Sequence, residues 1–373
     1  MNQRPLKVGI VGVGNIATNP NVGYIPNLLK MPEKVEIVAL ADVQFERAEA
    51  GARKFGIPQA YGSLDEMLAS ADVEAVVNLT HIPAPAETSR KILESGRHCV
   101  SEKPIATTLE EADMLVELAQ RRGLTYVCAP VVALLPHHRE VRRLIEAGVI
   151  GKVAFARVRS SHGGPASWAF PTDPTWFYQR GAGPLFDMGV YGIHTITSML
   201  GPARRVVAFS GITEPTRVVA GGPAKGKVIE VTADDNTLLM LDFGGSTFAF
   251  VDGTYNVNAA KSPRIEIFGR AGTISINDYP AIREGAPPFE VYRVDALAGA
   301  AGWITPNPTQ LRQAQAHFDT YHNACLVEHL VDCVRSGERP LLSAEHARHA
   351  LEIMLMALES ARSGRAIELR TTF

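Results

Sequence analysis

The sequence predicts an α/β chain in two parts: a doubly wound parallel sheet at the N-terminal end, then an α+β region built on an open, mainly antiparallel sheet. Three observations carry this. Short apolar, branched runs alternate with helical segments through the first third, β-type runs follow one another without helices further on, and a glycine turn joins the first run to the first helix. At 373 residues the chain is long enough for two domains, and we expect them at 1–128 and 129–373.

Residues 7–11, 35–41, 75–79, 98–101 and 125–128 read as strands buried on both faces, because nearly all their side chains are apolar. Between them, Ser63 with Glu66 and Thr108 with Glu111 have capping-box spacing, and 109–122 keeps helical periodicity up to Gly123. A helix over 137–147, opened by His137 and His138, stops at Gly148. A strand over 153–161 leads into a loop rich in glycine, proline and aromatic residues at 161–184. Runs at 205–209, 238–243, 247–255, 264–268 and 273–276 suit an open sheet whose second face needs a cover. Residues 299–309 are expected to be irregular, and helices near 320–336 and 343–363 follow.

Composition narrows the function. With 37 basic and 39 acidic residues and no stretch of about five or six like charges, nothing favours nucleic acid or an anionic membrane as partner. The first apolar run is too short and glycine-rich for a signal peptide, and no segment approaches ~18 uninterrupted apolar residues, so a cytoplasmic protein is expected. Cys99, Cys128, Cys325 and Cys333 lack CxxC spacing and paired histidines; they are expected to be reduced and buried, and no metal is expected.

Gly12, Gly14 and Ala17 form G-x-G-x-x-A directly after the first strand. The first glycine permits a tight turn, the second lets a pyrophosphate approach the backbone, and the small third residue lets helix pack on strand. Asp42 ends the next strand, where a carboxylate accepts from a ribose diol and repels a 2′-phosphate, which favours NAD over NADP; Arg47 works against that preference. Glu102-Lys103-Pro104 lies just past another strand of the sheet. Ligands bind beyond the carboxyl ends of such strands, so Lys103 is expected at the nicotinamide end.

These motifs, with LIEAGVIGKV at 144–153, GAGPLFDMGVYGIH at 181–194 and the closing helical segment, resemble the glucose–fructose oxidoreductase / inositol dehydrogenase (Gfo/Idh/MocA) superfamily over essentially the whole chain. The resemblance implies an N-terminal Rossmann domain, a C-terminal domain for substrate binding and oligomerisation, and NAD(P)-dependent hydride transfer at a hydroxyl or carbonyl carbon of a sugar, polyol or cyclic diol. It extends the cofactor set to Asn15, Ile16, Thr80 and Glu102. It also implies that Lys103 touches nicotinamide and substrate hydroxyl, and that the open sheet joins a homodimer or homotetramer. Where the commoner branch has D-x-G-x-H, this chain reads Asp187-Met188-Gly189-Val190-Tyr191, like the glucose–fructose oxidoreductase and dimeric dihydrodiol dehydrogenase branch. Tyr191 therefore inherits the proton-transfer role.

Lys103 and Tyr191 belong to residue types with pKa values near ten. A cationic nicotinamide at ~4 Å and an effective dielectric of ~20 contributes about 4 kcal/mol, enough to favour phenolate and neutral amine near neutrality. Asp187, one helical turn before Tyr191, is expected to orient substrate or lysine, or to serve as a helix-start carboxylate. His194, on the same face, fits a pocket or a core equally; His162 and Trp176, with Trp168 and Tyr178, fit the wall of a sugar site or loop anchoring. Two alternatives remain open at this level: a redox-neutral NAD-assisted lyase or glycosidase, and a non-enzymatic nucleotide or sugar sensor.

Overall fold

Apolar strands and one-sided helices alternate as expected from β1 (Leu6–Val11) onward in the computed structural model, which describes residues 4–80, 85–277 and 279–373. The chain divides into two compact units, Met1–Leu135 with Ala314–Leu351, and Pro136–Gln313 with Glu352–Phe373.

In the first unit β1 is followed by α1 (Asn15–Thr18), α2 (Tyr24–Leu28), β2 (Val35–Ala41), α3 (Phe45–Phe55), β3 (Gln59–Tyr61), α4 (Leu64–Ser70), β4 (Ala75–Asn78), α5 (Pro85–Glu94), β5 (His98–Ser101), α6 (Leu109–Arg122) and β6 (Tyr126–Cys128). The strands form one parallel sheet in the order β3-β2-β1-β4-β5-β6. Every residue of β4 is buried, as a central strand covered on both faces requires. The α6 N-terminus carries both bonds of the capping box between Thr108 and Glu111, and Gly123 ends the helix in the left-handed conformation. After the glycine turn come two short helices, α1 and α2, separated where the Asn19 side chain accepts from the backbone N–H groups of Asn21 and Val22 and forms a turn.

The second unit contains α7 (Pro136–Glu146), β7 (Val153–Val158), α8 (Val190–Leu200), β8 (Arg205–Gly211), β9 (Thr216–Val218), β10 (Val228–Glu230), β11 (Asn236–Gly244), β12 (Thr247–Thr254), β13 (Ile265–Gly269), β14 (Gly272–Ile276), α9 (Tyr279–Arg283), β15 (Phe289–Leu297) and β16 (Ala300–Ile304). Three helices follow, α10 (Pro308–Tyr321), α11 (Ala324–Ser336) and α12 (Ala344–Ser363), and a short last strand, β17 (Ile367–Glu368). The large sheet runs β16-β15-β14-β13-β7-β12-β11-β8-β17, antiparallel except for the β7–β12 pair, and β9–β10 form a separate ribbon. Residues expected to be irregular from 299 onward form β16, because Tyr292 and Trp303 face each other across a hairpin with β15. The single helix expected near 320–336 breaks at His322, whose φ of 27° cannot continue it. All four cysteines are buried and free. No described helix is long and apolar enough to cross a membrane.

Candidate active site

In the first unit the candidate residues lie at the carboxyl ends of the parallel strands. Strand order reverses between β1 and β4, which opens a crevice there. Gly12 has a φ of +91°, and a Cβ on it would lie 2.8 Å from the Leu79 carbonyl, so only glycine lets the β1 turn pass the end of β4. Gly14 is different. A Cβ there would meet nothing within 4 Å, which leaves its backbone open to a diphosphate, while Ala17 in α1 is fully buried. Asn15 and Ile16 follow as the first residues of α1.

Asp42, 7% exposed, is tied into this turn: one carboxylate oxygen accepts from the Val13 N–H at 2.7 Å and the other from the Gln44 N–H at 2.9 Å. A carboxylate has about four acceptor sites, so it retains capacity for a diol. Arg47 is exposed on the first turn of α3. At the end of β4, buried Asn78 organises the next loop, accepting from the Thr80 hydroxyl at 2.6 Å and its N–H at 3.1 Å while donating to the Pro85 carbonyl and the Ser89 hydroxyl. Past β5, Glu102 accepts from the Tyr24 hydroxyl at 2.9 Å, and its N–H donates to the Asn78 carbonyl at 3.2 Å. Half-buried Lys103 comes next, its peptide to Pro104 cis.

The second unit holds a candidate cluster of its own. The residues Leu185–Gly189 wind as a π-turn that runs directly into α8, a local widening that proteins often place at functional sites. Glycine makes it possible: a Cβ at Gly189 would lie 2.9 Å from Leu185 Cδ1, and one at Gly192 would lie 2.9 Å from Ser160 Cβ and 3.0 Å from Val251. The Ser160 hydroxyl clips the turn, donating to the Met188 carbonyl and accepting from the Gly192 N–H. Asp187 thus projects from the π-turn, and its carboxylate accepts from the Tyr255 hydroxyl at 2.8 Å. Tyr255 is fully buried, and burial first, then the adjacent Asp187 charge, push its phenol far above the usual range, so it stays protonated and donates to Asp187.

Tyr255 also stacks on His162, ring centroids 5.3 Å apart, and His162 meets Trp168 edge-on at 5.0 Å. The His162 Nδ1 accepts from the Gly164 N–H at 2.9 Å, which fixes the neutral tautomer with its proton on Nε2. Burial lowers its pKa, against the opposing pull of Asp187. Tyr191 is half-buried on the first turn of α8. Trp176 is 51% exposed against Phe177, whereas His194 is 2% exposed within the packed length of α8.

Family models match residues in both units. The model described as "Oxidoreductase family, NAD-binding Rossmann fold" matches 6–129, and "GFO/IDH/MocA C-terminal domain" matches 138–275. An uncharacterized oxidoreductase of Rhizobium meliloti, ORF334, is 31% identical over 283 residues, covering 73% of this chain and 75% of that protein. The chain belongs to the GFO/IDH/MocA oxidoreductase family. As a member it is an NAD-binding oxidoreductase. The myo-inositol 2-dehydrogenase of Thermotoga maritima is similar over 98% of both chains at 22% identity. An NAD-binding oxidoreductase from Klebsiella pneumoniae shares the fold, with a TM-score of 0.83 at 20% identity over 98% of this chain and 99% of that one.

Within the first unit the fold gathers Gly12, Gly14, Asn15, Ile16, Asp42, Thr80, Glu102 and Lys103 at one edge of the sheet, and leaves Arg47 on an exposed helical turn. Within the second it gathers Asp187 and His162 around Tyr255. Sequence reasoning missed Asn78, Tyr24 and Tyr255. Asn78 did carry a signal, a polar residue ending an otherwise apolar strand; Tyr24 and Tyr255 carry none, because their partners lie 78 and 68 residues away.

Proposed function

We propose that this GFO/IDH/MocA protein moves a hydride between nicotinamide and a hydroxyl- or carbonyl-bearing carbon of a sugar, polyol or related cyclic diol. The observation that carries the reading is the strand-end edge of the first unit, where an open glycine backbone at Gly14 and the Asp42 carboxylate occupy the β1 and β2 ends and Glu102-Lys103 the β5 end. Asp42 favours NAD over NADP, since it presents a carboxylate where a 2′-phosphate would add like charge. Gly12, Gly14, Asn15 and Ile16 hold the diphosphate, and Asp42 and Thr80 flank the nucleotide, with Arg47 at its adenosine side. When bound, nicotinamide supplies the hydride acceptor or donor at C4.

The chain's own residues manage the proton. Tyr191 takes the hydroxyl proton or returns it, Lys103 positions and assists at the same oxygen, and Asp187, held by Tyr255, organises them. Neutral His162 offers its Nε2–H as a donor to a substrate oxygen, and Trp176 offers an aromatic face to an apolar sugar face. Residues 1–128 supply cofactor binding and 129–373 supply substrate binding and assembly, in the cytoplasm. Similarity to a myo-inositol 2-dehydrogenase over nearly the whole chain supports a polyol-type substrate.

Assembly as a homo-oligomer follows from the outer face of the large sheet. Val207, Met240 and Phe250 form one cross-strand row, Phe209 and Leu238 a second, and Phe248, Phe155 and Phe268 a third. Phe209 is 82% and Met240 49% exposed, an apolar patch suited to a second copy.

Stopped-flow absorbance of nicotinamide, with NAD and NADP compared across a sugar and polyol panel, tests the mechanism. Tyr191→Phe and Lys103→Met are each expected to slow hydride transfer by about a hundredfold or more. Near wild-type rates in both remove the assignment.

A further inference from the structure

We infer that the first unit carries a zinc-class divalent cation site, formed by His317, Cys325 and Glu328 across the turn between α10 and α11, separate from the nucleotide-binding edge. The ligand atoms of these three side chains all lie within 4.8 Å of one another. Cys325 and Glu328 are three apart on the first turns of α11, so they share one helical face, and the reversal at His322 brings His317 of α10 back onto that face. No standard sequence motif has this H-x₇-C-x₂-E spacing. The helical turn creates it.

The donor set is borderline-soft: one thiolate, one imidazole and one carboxylate, with a fourth position left for water, which is zinc coordination. Tetrahedral zinc with Zn–S of about 2.3 Å and Zn–N or Zn–O of about 2.0–2.2 Å places its ligands roughly 3.3–3.8 Å apart, so the cluster must contract by about 1 Å. His317, with 51% of its side chain exposed, can supply that movement by a change of rotamer. Its Nε2 already reaches Glu328 Oε2 at 3.2 Å, the two atoms a cation would separate.

The surroundings support the carboxylate. Lys34 Nζ binds the other Glu328 oxygen, Oε1, at 2.8 Å and is itself matched by Asp332 at 3.1 Å. Lys34 and Asp332 cancel, so a divalent cation faces a net charge of about −2 from Cys325 thiolate and Glu328. That outer ion pair leaves Oε2 aimed at His317, as a carboxylate held by a neighbour does in a metal site. Cys325 is 7% exposed beside an exposed histidine, so a hydrated ion enters past His317 and the thiol releases its proton on binding.

Cobalt(II) and zinc(II) titrations of the full-length chain test this. The expected result is one equivalent of cobalt with a thiolate-to-cobalt charge-transfer band that Cys325→Ser abolishes and Cys333→Ser retains. Zinc competition against a chromophoric chelator should show His317→Ala and Glu328→Gln each weakening binding by more than about tenfold. His317 is largely exposed, so its alanine variant tests the site without endangering the fold. Absence of the band in the folded wild type, its survival in Cys325→Ser, or unchanged zinc affinity in His317→Ala overturns the site. These readouts do not depend on hydride transfer, so they fail separately from the assignment of Lys103 and Tyr191.

Discussion

At the residue scale, two imidazoles are held neutral by the same device. His162 Nδ1 accepts from the Gly164 N–H at 2.9 Å and His98 Nδ1 from the Thr125 N–H at 3.0 Å, and burial lowers the pKa of both. Between the ordinary imidazole value near 6.5 and the lower folded one, the unfolded chain binds a proton that the folded chain does not, so acidification through that window costs stability. His162→Gln and His98→Gln should each flatten the dependence of unfolding free energy on pH as it falls below about 6.5, measured by denaturant titration. Curves parallel to wild type would show that neither ring stays neutral. Asp42 is equally local in origin: its position at the end of β2 is readable from the strand pattern, but its bond to Val13 appears only when β2 lies beside β1.

At the element scale, α8 sets propensity against packing. Glycine inside a helix costs about 1 kcal/mol relative to alanine, so Gly192→Ala would stabilise an isolated helix. Here the added Cβ would lie 2.9 Å from Ser160 Cβ, 3.0 Å from Val251 and 3.1 Å from Val158, with β7 and β12 behind it. Overpacking of that kind costs roughly 1–3 kcal/mol. The close approach wins, and we expect Gly192→Ala to lower stability and displace the π-turn that carries Asp187. A thermal melt showing stabilisation would mean that the strands yield instead. The glycines of GAGPLFDMGVYGIH were visible in the sequence, while the helix-to-sheet distance that demands them was not.

At the scale of the whole molecule, the exposed face of the large sheet carries Phe209, the aromatic residue of β8. Introducing charge there should leave the fold intact, since Phe209 is 82% exposed, and should break an interface between copies. Light scattering of Phe209→Glu is expected to show a smaller species than wild type, with far-ultraviolet circular dichroism unchanged. Equal masses would remove the sheet from the assembly. The alternation that buries Val206 and Ala208 and exposes Val207 and Phe209 also explains why strands were legible while the pairing order was not. Period two reports faces, and neighbours are chosen by the tertiary fold.

Local chemistry was enough to reveal the parallel-sheet pattern, the capping box at Thr108, the glycine turn and Asp42, because each depends on residues within one strand–turn–helix segment. Three features needed the folded chain: the Asp187–Tyr255–His162 cluster, the Tyr24–Glu102 bond and the return of Ala314–Leu351 to the first unit. They join side chains separated by tens to hundreds of residues. Such contacts arise from packing free energy summed over the whole core, and no local spacing encodes them.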